Sequence, residues 1–337
     1  MKKYTFILLI LFLLVGCSNK LEKYSTSFLS FDTYIELNAY TSDKDEFYDY
    51  AKYTEQQFKK YHELFDAYNN YQGVNNVKVI NDNAGKKAIK VDEHLYEVIK
   101  QAKELYQDSE QKNNITLTPI VLEYKAVQER YDANEKVSNP DLEMLKEKAK
   151  CVNMDNIILN EQEQSIFLKK SCSQLDVGSV AKGYTTDLIA NELKDKGLTS
   201  GIINAGGNVV VIGKKNNSDF TIGIANPDNP NEAKINIKTS DINIVTSGDY
   251  QRYYIVDGIK MNHIIDPDTL KPALINKSVT IINNDGLIAD YFSTECFMLD
   301  LEKIDKLAQK YDFEYIVIDK NDKITISEGL KDVTEVK

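Results

Sequence analysis

Residues 27 to 40 alternate apolar and polar positions, with Phe28, Phe31, Tyr34, Glu36 and Asn38 marking the run, and the pattern predicts a strand. Ser42 with Asp45 then reads as a capping box that opens a long helix to Phe65. Its stripe of Phe47, Tyr50, Phe58, Tyr61 and Phe65 is the face expected in the core. The Asn- and Gly-rich stretch 66–85 reads as loop. A second helix is expected from Glu93 to Gln107, on the apolar face of Leu95, Val98, Ile99, Ala102 and Leu105. Residues 114–127 start extended or looped with a helix as the alternative further on, Pro119 leaving the boundary open, and Asn139-Pro140 opens a third helix through Lys150. Two strands, 155–160 and 165–171, flank a polar turn. Beyond residue 213 the pattern is mostly extended, with strands near 219–224, 234–238, 242–246, 252–256 and 278–283. Helices over 287–299 and 302–311 and strands over 315–318 and 323–327 finish the chain. Without repeats or a clear linker, this is one α+β domain of mixed or antiparallel sheets with packed helices, covering 27–337.

The densest signal is the block 175–213. Asp176 leads into a turn at Gly178, and Ala181, Tyr184, Thr185, Leu188, Ile189 and Leu193 follow at helical spacing up to a C-capping Gly197. Ile202 and Ile203 then run into Asn204-Ala205-Gly206-Gly207-Asn208 and the strand Val209–Ile212. A helix N-terminus offers unpaired N–H groups and partial positive charge, and Lys182 adds a full charge, so a phosphate or diphosphate is well received there. Gly206 and Gly207 let backbone approach a flat ligand closely. Most glycine-rich turns merely turn the chain, and that reading stands beside the ligand reading.

Composition narrows the partners. Charged residues at 28% and apolar ones at 42% describe a soluble globular body, and a formal charge of −11 excludes a nucleic-acid binder built on a basic stripe. The N-terminus changes the picture: Lys2 and Lys3 precede an apolar run from Phe6 to Val15, too short for a comfortable span, so residues 1–16 read as a signal peptide. Leu14-Val15-Gly16-Cys17 resembles a bacterial lipobox, which implies cleavage before Cys17, a lipid on its thiol, and residues 17–26 as lipidated cysteine and polar tether. The protein is then expected on the extracytoplasmic face of the cell membrane. Cys151 and Cys172 flank the expected hairpin symmetrically, so an exported protein can join them in a disulfide; two buried free thiols are the alternative. Cys296 is expected in the core.

Two further segments carry chemistry. Asp290 and Thr294, four apart on an expected helix, place a carboxylate and a hydroxyl on one face, a hard-oxygen pair suited to magnesium, although such pairs are often only solvated. The segment 246–253, with Ser247, Tyr250 and Arg252, precedes His263-Ile264-Ile265-Asp266-Pro267. His263 is one of 3 histidines, a residue suited to proton transfer near neutral pH and more often structural.

Asp176, Gly178, Ala181-Lys182-Gly183-Tyr184, Asp187 and the loop 204–207 together resemble the signature of the ApbE family, the FAD:protein FMN transferases. The resemblance covers about 27–310 and is most specific from 175 onward. It implies a T-fold-like single catalytic domain, FAD as substrate, and magnesium held by Asp290, Thr294 and the backbone carbonyl of Ala181. It implies a diphosphate near Gly178, Lys182, Gly206 and Gly207, with Ser247, Tyr250 and His263 beside it. By the same resemblance Phe31 and Tyr68 flank the adenine, Thr116 lies in a ligand-contacting segment, His263 moves a proton or contacts phosphate, and Asp176 orders the turn or the substrate. Departures include Asn114 for Asp, Asn208 where an acidic residue is common, and Leu270 where glycine is usual. The implied reaction moves FMN from FAD to a Thr or Ser hydroxyl of an extracytoplasmic electron-transfer protein and releases AMP. An FAD pyrophosphatase that makes FMN and AMP, and a flavin-binding lipoprotein without chemistry, are the alternatives.

Overall fold

The computed structural model describes residues 21–337; the signal peptide 1–16 and Cys17 lie outside the described residues. The first element is a hairpin, not one strand: β1 (Glu22–Ser30) pairs antiparallel with β2 (Thr33–Thr41). Residues 22–26, assigned above to the tether, are therefore sheet. The turn uses Phe31 and Asp32, both at positive φ (50° and 54°). A two-residue hairpin loop of this hand needs that conformation, and without a Gly or Asn the sequence gives no hint of it.

α1 (Lys44–Phe65) is capped by Asp43, whose carboxylate accepts the Asp45 N–H at 3.0 Å, one residue later than the expected box. The stretch 66–85 holds a short α2 (Val77–Asp82), capped by Asn76, which also ties its amide to the Glu63 and Asn69 carbonyls. β3 (Ile89–Lys90), α3 (Glu93–Asp108), α4 (Thr118–Asp132) and α5 (Leu142–Ala149) follow. β4 (Ile157–Asn160) and β5 (Ser165–Leu168) form the expected hairpin, and β3 joins β5 to make a small sheet. Cys151 and Cys172 are bonded across it with Cα atoms 5.6 Å apart. Cys296 is free and buried, as expected.

α6 (Ala181–Asp195), β6 (Ser200–Ala205) and β7 (Asn208–Gly213) build the central block. β8 (Phe220–Asn226) and β9 (Asn229–Thr239) precede β10 (Ile242–Gly248). The short strands β11 (Tyr253–Val256), β12 (Ile259–Asn262), β13 (Ile265–Asp266) and β14 (Lys271–Pro272) form two hairpins before β15 (Asn276–Asn283). α7 (Gly286–Phe297), α8 (Leu301–Tyr311), β16 (Glu314–Asp319), β17 (Ile324–Ile326) and β18 (Thr334–Val336) complete the described chain.

Eight strands make the main sheet in the order β1-β2-β6-β7-β10-β15-β16-β17, every pair antiparallel. Strand period sends alternate residues to two cores. Val210 and Ile212 on β7, Val245 on β10, and Val279 and Ile281 on β15 face the helical layer of α1, α6 and α7. Val211, Ile244 and Ile282 face the three-stranded sheet β18-β9-β8 and pack on Phe220, Ile222 and Ile237. The architecture is thus helices, central sheet and small sheet around one continuous scaffold, a single α+β domain. At one end of the central sheet the β1–β2 turn, the β6–β7 turn and the end of β10 come together. That end is where the chemistry gathers.

Candidate active site

The site begins with two glycines. A Cβ on Gly183 would overlap the Gly286 carbonyl oxygen, and one on Gly286 would overlap the Gly183 carbonyl, so α6 and α7 cross backbone against backbone. The crossing sets the Asp290 carboxylate against the first turn of α6, where Gly183 N–H donates to Oδ2 at 2.8 Å. Asp290 is only 3% exposed, and burial raises its pKa against the opposing pull of Lys182, the Gly183 N–H and the Asn208 amide. Thr294 lies one turn along α7, and the Ser247 hydroxyl from β10 is 3.4 Å from its Oγ1 and 2.8 Å from Ser293 Oγ. Ala181 is the first residue of α6 and is brought to the same place. Of the expected set, Asp290 thus meets the first turn of α6, which Ala181 opens, and Thr294 follows one turn on along α7.

A hard cation suits this donor set. The Oδ1 of Asn208, a residue 3% exposed, is buried without a partner, an orphaned oxygen in the same wall as Asp290. Among the described residues no three His, Cys, Asp or Glu side chains converge as a metal cluster. A cation here would be held by one carboxylate and neutral oxygens, which is magnesium's habit when substrate phosphates and water supply the rest.

Asp176 orders the turn before α6. Its Oδ1 accepts the Gly178 N–H at 2.8 Å, its Oδ2 accepts the Tyr68 hydroxyl at 2.7 Å, and its own N–H donates to the Ile115 carbonyl at 3.0 Å. With both oxygens engaged it acts as a positioner, one of its two expected roles. Lys182 gives one hydrogen bond to the Gly178 carbonyl at 3.0 Å and keeps two donors for a ligand. Tyr68 is brought to this turn, but the Lys125 ammonium covers one ring face at 3.7 Å. Phe31 packs edge-on against Phe58 and His62 and also meets Phe65. Thr116 is wholly buried with its hydroxyl on Asn114 Oδ1 at 2.7 Å, so it shapes its loop from behind.

The opposite wall rests on the paired glycines. Gly206 and Gly207 both have positive φ (59° and 97°), and Thr33 and Gln251 fill the space where their side chains would stand. Tyr250 folds its ring over Gly248, and burial together with Asp249 pushes its phenol up to about 12. Arg252 Nη2 donates to the Asp32 carbonyl at 3.4 Å and so joins this wall to the β1–β2 turn. His263 Nδ1 lies 3.3 Å from the Arg252 carbonyl, which can only accept; that nitrogen carries the proton and Nε2 keeps its lone pair. Crowding by protein, and then the charges of Arg252 and Lys182, lower His263 to about 4. Its side chain stays reachable by solvent, so it stands as a neutral, accessible base at pH 7. Sequence reading missed Ser293, Asn113, Lys125 and Glu295, each of which makes a contact to a distant segment; a glutamate on an apolar helix was the one visible signal among them.

Fold and cleft together define a one-domain α+β protein with a cleft whose donors suit an oxygen-rich ligand and a hard cation. The family model described as "ApbE family" matches residues 31–317. An FAD:protein FMN transferase of Klebsiella pneumoniae is 30% identical over 276 residues, covering 81% of this chain and 83% of that protein. The crystal structure of the ApbE protein of Thermotoga maritima superposes with a TM-score of 0.80 at 25% identity, covering 93% of this chain and 99% of that one. The flavin transferase ApbE of Vibrio cholerae, at 20% identity and a TM-score of 0.77, shares the fold over 93% of this chain and 99% of its own. The chain belongs to the ApbE family.

Proposed function

We propose that this cleft moves FMN from FAD to a threonine or serine hydroxyl of an acceptor protein, with magnesium bound and AMP leaving. Transfer of FMN from FAD to an acceptor protein is the activity of this enzyme. The observation that carries the reading is the backbone-on-backbone crossing of α6 and α7, with Asp290 against the first turn of α6 beside Lys182, in a chain of this family.

The reaction is a displacement at phosphorus. The acceptor hydroxyl oxygen bonds to the FMN-side phosphorus, the bond from that phosphorus to the bridging oxygen breaks, and AMP departs with that oxygen. Asp290, Thr294 and the Ala181 carbonyl would hold the cation, which supplies charge neutralisation on the diphosphate. Lys182 and the first N–H groups of α6 add positive potential for the departing AMP phosphate. Nε2 of His263 takes the hydroxyl proton. A base this weak takes it late, as a loose phosphoryl-transfer transition state with little nucleophile bonding requires. Gly206 and Gly207 let the β6–β7 turn close against Thr33 and Gln251, which fixes that wall of the cleft.

The acceptor is an extracytoplasmic electron-transfer protein, and the enzyme meets it at the membrane through a lipid on Cys17. The support for that part is the run from Lys2 to Cys17. The function is tested by mass spectrometry of an FMN-acceptor domain after incubation with the enzyme, FAD and magnesium, with AMP measured in parallel. A mass gain equal to an FMN phosphoester, lost with EDTA, is the expected result. AMP and free FMN with no labelled acceptor would replace the transferase reading with the pyrophosphatase.

A further inference from the structure

Three walls of the cleft meet at a buried carboxylate that the chemistry above does not use. Glu295 follows Thr294 on α7 and is 0% exposed. Its Oε2 accepts the backbone N–H of Lys112 at 3.1 Å and of Asn113 at 2.5 Å, while Oε1 has no partner. Asn113, also buried, accepts the Ser179 hydroxyl at 2.7 Å, inside the turn between Asp176 and Lys182. It donates in turn to the Tyr291 carbonyl at 3.0 Å, next to Asp290. Lys112 reaches the other way: its ammonium bonds Asp266 Oδ1 and Asp268 Oδ2, both at 2.7 Å, just downstream of His263.

A carboxylate sealed in an apolar helix face without a cation on it is a poor choice for stability alone, because an apolar residue of similar size avoids its desolvation. What an apolar residue cannot do is accept two neighbouring backbone N–H groups. We infer that Glu295 is a positioning residue: it pins residues 112–113 as a strut that sets the spacing between the cation face of α7, the 176–182 turn and the His263 segment. The inference rests on the functional reading above for its catalytic consequence, and on the contacts alone for the strut.

The test compares Glu295→Ala, Glu295→Gln and Asn113→Ala with wild type. It measures kcat and KM for FAD with magnesium, FAD affinity in EDTA, and amide hydrogen exchange. Small displacements of aligned groups cost rate steeply, so Glu295→Ala is expected to lower kcat ~10-fold or more, with KM and FAD affinity within about threefold. Exchange should quicken at both 112–116 and 263–268 while the main sheet keeps its protection. Glu295→Gln, whose amide oxygen can accept the same two N–H groups, should stay near wild type, and Asn113→Ala should lose kcat in the same direction, which covers the case in which Glu295→Ala does not fold. Wild-type kcat and exchange in the alanine variants would overturn the strut, as would a glutamine variant no better than alanine, or exchange that rises evenly through the sheet. A wild type that labels no acceptor would count against the functional reading, and the exchange pattern would still decide the strut.

Discussion

Asp290 and His263 show how far a residue's type predicts its work. A lone Asp four residues before a Thr is common on solvated helices; what makes Asp290 special is burial against the Gly183 N–H. Asp290→Ala should remove magnesium-stimulated FMN transfer by on the order of 10²–10³-fold, as loss of a principal charge-stabilising group does, while the thermal unfolding midpoint stays within a few degrees. A variant that still transfers at near the wild-type rate with magnesium would remove Asp290 from the cation site. His263 carries a pH prediction. Its pKa is lowered to about 4, and under the proposed role the base form does the work, so activity should persist as pH falls through 6.5 and decline only as pH approaches about 4. A kcat/KM profile with its acid limb near 6.5, unchanged in His263→Gln, would show another group titrating. Both residue types were readable in sequence, yet the hydrogen-bonded tautomer of His263 and the orphaned oxygen of Asn208 were not, because each is set by how the folded chain surrounds it.

Between elements, contact distance decides what sequence periodicity leaves open. The helical stripes of α1 and α3 were legible, since the 3.6-residue period follows from local geometry, and β10 and β15 were legible only as extended runs. The β1–β2 turn was not, because Phe31 and Asp32 hold positive φ only with the hairpin paired around them and Arg252 bonded to Asp32. Nor did sequence reveal that Gly183 and Gly286, 103 positions apart (286 minus 183), are a matched pair. Gly183→Ala should force α6 and α7 apart and destabilise the fold by ~1–3 kcal/mol, read as a lowered urea midpoint. It should weaken magnesium dependence as well. Gly178→Ala, at an exposed turn beside Asp176 alone, should cost less; equal losses for the two would mean the crossing is not the constraint.

For the whole molecule, two covalent features set its expected setting. The Cys151–Cys172 bond closes a separation of 21 residues, and the chain-entropy relation gives ~3 kcal/mol for a loop of that size. Cys151→Ser with Cys172→Ser should lower stability by about that amount in equilibrium denaturation, with activity retained at low temperature because the bond lies in the small β3–β5–β4 region. Unchanged denaturation would show that the link contributes nothing. No helix among the described residues is long and apolar enough to cross a membrane; the attachment proposed above, a lipid on Cys17, has its own test. Cys17→Ser should shift the protein from the membrane to the soluble fraction and remove a lipid mass from the N-terminal peptide. The sequence by itself determined the long helices and most strands, the α+β class, and the candidate residues in the central block and on α7, since those follow from local periods, turn chemistry and motif spacing; it left open whether Cys151 and Cys172 are joined and gave no sign of α2. Only the tertiary structure decided that Asp290 meets α6, that Asp176 is fully engaged, that Tyr68 lies under Lys125, and that Glu295 joins three walls. Each of those facts rests on a contact between distant segments, and such contacts are selected by packing of the whole chain rather than by any local run of residues.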